Sequence, residues 1–121
     1  MLNKTPESRS RRLYQIDSLL QHELGTLFSR MLESPLGTLV SISTITVSAD
    51  LSYAEVKLSI LPHEQREEVL KAIQGQLKEI QHELNKRLRL YRVPKLNFII
   101  DETEEQAGKI ESLLDSLHRS D

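Results

Sequence analysis

The chain has no cysteine, so neither a disulfide framework nor a thiolate metal site is open to it, and its four histidines lie far apart. A metal would have to gather histidine and carboxylate ligands from distant segments, so no metal and no cofactor is expected. Long apolar runs are missing too. Even Leu96 to Ile100 is broken by Asn97, which falls far short of a membrane span, and no basic-then-apolar segment opens the sequence. A soluble cytoplasmic protein without membrane contact is the expectation. Nor is there a large excess of one charge: the formal net charge of −2 argues against a protein whose whole surface clings to nucleic acid.

What is present fits one domain. A chain of 121 residues can close a single core of two packed layers but not a second domain of ordinary size. The expected limits are a loose segment at 1–7, one domain over 8–118 and a tail at 119–121. Thr5 with Pro6 offers a first helix cap. Leu13, Ile16, Leu20, Leu24, Leu27 and Met31 then follow three-four spacing, which predicts a helix from about Ser8 to Leu32 that tolerates Gly25. Ser34-Pro35-Leu36-Gly37 is a turn.

From Leu39 to Ser48 the residues suit a strand, but its phase is broken. Val40 and Ile42 are even, Ile45 and Val47 odd, so an extra residue near Ser43-Thr44 is needed to keep all four on one face. A β-bulge is predicted there. Ala54, Val56, Leu58 and Ile60 alternate cleanly with Glu55, Lys57 and Ser59, and the turn residues from Ser48 to Ser52 make the two strands an antiparallel hairpin. After Pro62-His63-Glu64, an apolar stripe through Val69, Ile73, Leu77, Ile80, Leu84 and Leu88 predicts a long helix, with Gly75 as its kink or boundary. Pro94 should stop that helix just before it. Leu96 to Ile100 reads as a third strand. Ala107, Ile110, Leu113, Leu114 and Leu117 predict a last helix, capped by Thr103.

Charge is unevenly placed along this order. Lys4, Arg9, Arg11 and Arg12 make the amino end basic; Lys86, Arg87, Arg89, Arg92 and Lys95 form a segment free of acids; Asp101, Glu102, Glu104 and Glu105 follow as an acidic block. Such a dipolar field can hold an anionic polymer on one side.

Arg92-Val93-Pro94-Lys95-Leu96-Asn97-Phe98, Asp101, Gly108-Lys109-Ile110 and Leu113-Leu114, together with the Ser48-Ala49-Asp50-Leu51 turn and the strand Ala54-Glu55-Val56-Lys57-Leu58-Ser59, resemble the bacterial ribosome-binding factor A family. Arginines ahead of a helix containing Glu23-Leu24 extend the resemblance to about residues 9–117. It implies an α+β, type II KH-like domain, αββααβ with a C-terminal helix, whose three-stranded sheet is covered by helices on one face. It further implies a monomeric, non-enzymatic factor with no small-molecule substrate. Such a factor binds the free or immature 30S subunit and its 16S rRNA and assists late maturation. Common KH domains clamp RNA with a Gly-x-x-Gly loop, whereas this family has an Ala-x-Gly kink between its central helices. Counting back from Pro94 puts Gln76-Leu77-Lys78 there, while the nearest glycine stands in Ala72-Ile73-Gln74-Gly75. Either the kink moves to Gly75 or the helix runs straighter. Ala49 replaces the family's turn proline, and Gln15 stands where a basic residue is usual.

The RNA-contact candidates are Arg9, Arg11, Arg12, Lys78, Lys86, Arg87, Arg89, Arg92 and Lys95. Against this stands a plainer account, in which a helix end attracts cations through its dipole. Tyr91, inside the basic segment, can stack on a base or close a core edge, and Asp50 is assigned to its own turn. Two other classes stay open. A protein–protein adaptor would bind without RNA, and a metal-dependent nuclease would use the acidic block at Asp101 and Glu104.

Overall fold

The strand Tyr53–Leu61 (β2) occupies the middle of a three-stranded sheet. Its alternate residues Ala54, Val56, Leu58 and Ile60 are buried, and everything else is arranged to keep water off that row. The computed structural model describes residues 10–103. Within them the remaining elements are α1 (Arg11–Met31), β1 (Leu39–Val47), a single 3-10 turn (His63–Gln65) after a cis Leu61–Pro62 peptide, α2 (Arg66–Gln74), α3 (Leu77–Arg87) and β3 (Lys95–Ile100). This is the expected αββααβ order. β1 pairs antiparallel and β3 parallel with β2, in the order β1-β2-β3.

One face of the sheet is packed. Ile16, Leu20, Leu24 and Leu27 of α1, Val69 and Ile73 of α2, and Ile80 and Leu84 of α3 meet Ile45, Val47, Leu96, Phe98 and the β2 row in one core. Phe28 adds an edge-to-face ring contact to Phe98 with centroids 5.8 Å apart. On the other face of β2 stand Tyr53, Glu55, Lys57, Ser59 and Leu61. The phase break in β1 is resolved as expected: register shifts between Ile42 and Thr44, so Val40, Ile42, Ile45 and Val47 all pair opposite the buried β2 residues.

The helices begin and end for local reasons. Ser10 caps α1 from extended backbone, its hydroxyl accepting from Leu13 N–H, so the helix starts at Arg11 and not at the expected Ser8, while the Thr5–Pro6 cap lies outside the described residues. The central helix is broken at Gly75–Gln76, so the boundary is at the glycine and not at Lys78. Gly75 has φ −67°, ordinary helical backbone; the break is held by its neighbour. Gln76 N–H turns to the Ile73 carbonyl, which leaves the Ala72 carbonyl without its usual partner, and the Gln76 side-chain amide donates to it at 3.2 Å. The same amide exchanges two hydrogen bonds with the Glu33 backbone, donating to its carbonyl at 2.6 Å and accepting from its N–H at 2.8 Å. Residues just past α1 are thereby tied to the kink.

Two further expectations are corrected. α3 stops at Arg87, well before Pro94, because Leu88 leaves the helix in extended conformation (ψ 137°) to bury its side chain. Residues 88–94 are therefore loop. The capping role given to Thr103 falls to Asp101, whose Oδ1 accepts from Thr103 N–H at 3.0 Å as a helical turn opens at Glu102. The predicted helix over Ala107 to Leu117 lies outside the described residues, as do the domain limits at 7/8 and 118/119.

Asp101 also accepts from the Ser43 hydroxyl, so the bulge of β1 and the end of β3 are joined across β2. The Ser43 hydrogen bond is the main cause that holds the Asp101 carboxyl below its ordinary value of 3.8, against the opposing effect of burial. In the hairpin turn Asp50 accepts from the Ser52 and Ser48 hydroxyls and from Ser52 N–H, which lowers its pKa from 3.8 to about 2. Both groups have folded-state pKa values below their unfolded ones. Their stabilisation is present above the unfolded value and is lost as pH falls through the folded one.

In urea titrations the stability difference between the parent and Asp101→Asn is therefore largest above about pH 5 and shrinks as acidification protonates Asp101 in both folded and unfolded chains. Gln76→Ala lowers stability by about 1–2 kcal/mol, because the Glu33 backbone and the Ala72 carbonyl lose their partner. His82→Ala on the exposed side of α3 stays within about 0.5 kcal/mol.

Candidate nucleic-acid interface

β3 lies at an edge of the sheet, and its outward backbone groups need partners other than a strand. Gln81 of α3 supplies them: its side-chain amide donates to the Pro94 carbonyl at 3.1 Å and accepts from Leu96 N–H at 2.9 Å. Gln74, two turns earlier, points its amide at the Phe98 carbonyl at 3.5 Å. The start of β3 is thus fixed against α3. At its other end the 88–94 loop is pinned by buried Leu88, and Leu90, Val93 and Pro94 also pack inward. Arg89, Tyr91 and Arg92 are what the loop leaves outside.

The direction of the helices brings a second basic group to the same end. α1 and α3 run antiparallel, since Gln76 meets Glu33 at one end and Arg87 meets Glu23 at the other. Asp17 accepts from Val47 N–H at 2.9 Å, so the first turns of α1 lie where β1 ends, the hairpin turns, and β2 and β3 begin. Arg11 and Arg12 are exposed there, and a shallow depression on α1 is lined by Arg11, Tyr14, Gln15 and Ser18. Lys95 opens β3 opposite Tyr53.

The candidates separate into two sets. Lys86 and Arg87 are in the last turn of α3, where the helix dipole favours cations, and both have carboxylate partners: Glu83 at 3.4 Å and Glu23 at 2.8 Å. The plainer account covers these two. Arg89 directly follows the α3 cap Leu88, Arg92 and Lys95 lie farther along the chain, and no carboxylate among the described residues pairs with any of the three. Arg11 and Arg12 open α1 at its positive end, with no acid in the first turn, where the dipole disfavours cations. No ion pair offsets them among the described residues.

The acids nearby are held within the fold, Asp17 by Val47 N–H, Asp50 by Ser48 and Ser52 with its charge intact, and Glu23 by Arg87, while Glu55 stands exposed on the open face of β2. Lys78 is not brought to this group. It stands at the start of α3, about 13 Å along the axis from Arg87. Arg9 lies outside the described residues. The sequence names Gln76 at the kink and Glu23 in the family resemblance but gives no role to them, nor to Gln74 or Gln81, since a glutamine or glutamate on a polar helix face carries no mark of the backbone or arginine it will meet.

No three His, Cys, Asp or Glu residues among the described ones are placed to hold a metal ion, and no described helix is long and apolar enough to cross a membrane. Asp101, first of the acidic block, has its carboxylate engaged by Ser43 and Thr103 N–H. Glu104 lies outside the described residues.

Comparison with known proteins bears on the family and the fold. Residues 12–114 match the family model of ribosome-binding factor A. A ribosome-binding factor A of Chlorobium luteolum is 38% identical over 116 residues, covering 93% of this chain and 96% of its own length. That of Chlorobaculum tepidum is 37% identical over 106 residues, covering 85% and 88%. Among solved structures, ribosome-binding factor A from Thermus thermophilus superposes with a TM-score of 0.63 at 22% identity, covering 73% of this chain and 94% of its own. The Thermotoga maritima protein TM0855 superposes at 0.62 with 26% identity, covering 80% and 91%. A homology model of the Thermus thermophilus factor, fitted into a cryo-EM map of its complex with the 30S subunit, superposes at 0.59 with 21% identity, covering 73% and 93%. With a family model spanning most of its length and relatives above 30% identity, this chain belongs to the ribosome-binding factor A family.

Proposed function

We propose that this protein binds the free or immature 30S ribosomal subunit through 16S rRNA and assists the late maturation of that subunit without catalysing a reaction. Arg11, Arg12, Arg89, Arg92 and Lys95 contact the rRNA backbone. The observation that carries the reading is their placement: five cations without carboxylate partners among the described residues, at one end of the fold, with Arg11 and Arg12 opposed by the α1 dipole and Arg92 and Lys95 beyond the last turn of α3. Family membership and the 30S complex of the Thermus factor add support. The protein acts in the cytoplasm as a monomer, with no cofactor and no small-molecule substrate.

Binding energy is then the whole of the mechanism. A factor that binds one rRNA conformation better than another shifts the population by that difference in affinity and by no more. Phosphate contacts supply affinity and fix orientation, each releasing counterions and so making the complex sensitive to salt. As the favoured conformation disappears on maturation, so does the differential affinity, and the factor leaves.

The test is co-sedimentation with purified 30S subunits, 50S subunits and complete ribosomes across a salt series. Selective pelleting with 30S subunits is expected, with affinity falling steeply as salt rises. Changing Arg11, Arg12, Arg89 and Arg92 together to glutamine should lower affinity at least about tenfold and flatten the salt slope by roughly 3, while Lys78→Gln stays near the parent. A folded parent protein that stays in the supernatant with every particle ends the proposal.

A further inference from the structure

Most exposed large apolar side chains stand at one end of the fold or the other, Leu19 of α1 apart. Leu36, Leu39 and Leu61 stand at the end of the sheet away from the hairpin turn, Leu39 opposite Leu61 in the register. The tyrosines stand at the cationic end. Tyr91 is 97% exposed on the pinned loop between Arg89 and Arg92, and Tyr53 is 62% exposed on the open face of β2, opposite Lys95. Neither ring closes the core, and neither hydroxyl has a hydrogen-bond partner among the described residues, which removes the usual structural reasons for a tyrosine.

We propose that Tyr53 and Tyr91 form a stacking platform for unpaired bases of a single-stranded RNA segment, whose backbone is held by Arg89, Arg92 and Lys95. This deepens the rRNA reading above and rests on it. Tyr91 is four residues from Lys95, so their Cα atoms are at most about 15 Å apart, and Lys95 is the register partner of Tyr53. That span suits a few nucleotides. Rings interleaved with cations are the arrangement that binds single strands, because every base offers a π-face and every linkage a phosphate.

A-form duplex gives a projecting phenol ring nothing to stack on, since its base faces are covered. Buried Leu88 on one side and the Gln81 hydrogen bonds on the other hold the Tyr91 loop backbone before any ligand arrives, so less backbone ordering entropy is lost on binding.

The full-length protein is titrated with a short single-stranded oligoribonucleotide carrying 2-aminopurine, and with a duplex of the same sequence. The variants are Tyr53→Leu, Tyr91→Leu, the double variant, Tyr91→Trp and Arg89→Gln/Arg92→Gln, each checked for an unchanged urea midpoint. The parent should prefer the single strand and perturb the 2-aminopurine emission. Each leucine variant should lose at least roughly fivefold in single-strand affinity, with an unchanged salt slope because no charge is removed, and with duplex binding untouched. Tyr91→Trp should retain affinity. The arginine variant should flatten the slope instead.

Several results overturn the platform. Equal affinity for single strand and duplex does so, as does full single-strand affinity in the double leucine variant. So does loss of 30S binding by the leucine variants when the parent has no affinity for the oligonucleotide, which would assign the rings to a protein contact. In each case sedimentation of the arginine variant with 30S subunits reports separately on the phosphate reading.

Discussion

The Gln81 side chain stands in for the strand that β3 lacks on its outer side. Because one amide presents both a donor and an acceptor, it can answer a strand's Pro94 carbonyl and Leu96 N–H together, as a neighbouring strand would. Its consequences run in two directions. Inward, it seats Leu96 and Phe98 against Ala54 and Val56 of the central strand, where the core is driest. Outward, it ends the 88–94 loop at a fixed point, so that a stretch without regular structure still presents its charged residues from an anchored backbone. Gln76 does the same for the helix break, answering both backbone groups of Glu33. The domain therefore needs no glycine in an unusual conformation at its kink.

That architecture explains how a protein of net charge −2 presents a cationic end. Charge within the described residues is sorted by pairing as well as by position. Where the helix dipole would hold cations for structural reasons, at Lys86 and Arg87, carboxylates are also at hand. Where the helix dipole gives no reason for a cation, at Arg11, Arg12 and Arg92, there is no partner among the described residues. A helix N-terminus that carries two arginines and no acid gives up a few tenths of a kcal/mol that an aspartate would have contributed. It gains a field that draws anions.

Much of the fold was legible because it follows from period and phase. The broken alternation between Ile42 and Ile45 admits only a bulge if both are to be buried, and a bulge is what the register shows. Gly75 marked the helix boundary through its low helix propensity, and the hairpin was visible in the turn residues around Asp50. The end of α3 was not legible. Leu88 continues the helical stripe perfectly well and is buried as a stripe residue would be, but from extended backbone. Periodicity reports that a side chain is inside, not which backbone conformation carries it there. Leu51 at φ 62° is a similar case: a partly buried side chain packed on the core keeps a leucine where glycine or asparagine would be easier. At the candidate site the cations could be read directly, but their partners could not. Glu23 lies 64 residues from Arg87, and only the antiparallel packing of α1 on α3 reveals that this arginine is engaged.

In the proposed reading this division of labour has a kinetic side. Five cations without carboxylate partners among the described residues, on a protein of net negative charge, give attraction that is oriented and readily screened, so encounter with rRNA is steered while non-specific adhesion stays weak. Phosphates are the same everywhere on an rRNA surface and cannot by themselves tell an immature subunit from a mature one. Discrimination must come from something that exists in one conformation and not in the other. Unpaired bases have that property: a segment that is single-stranded before maturation and packed or paired afterwards loses its exposed faces while keeping its phosphates. Rings held among the cations would convert that loss into a difference in affinity. A non-catalytic factor has no other source of direction.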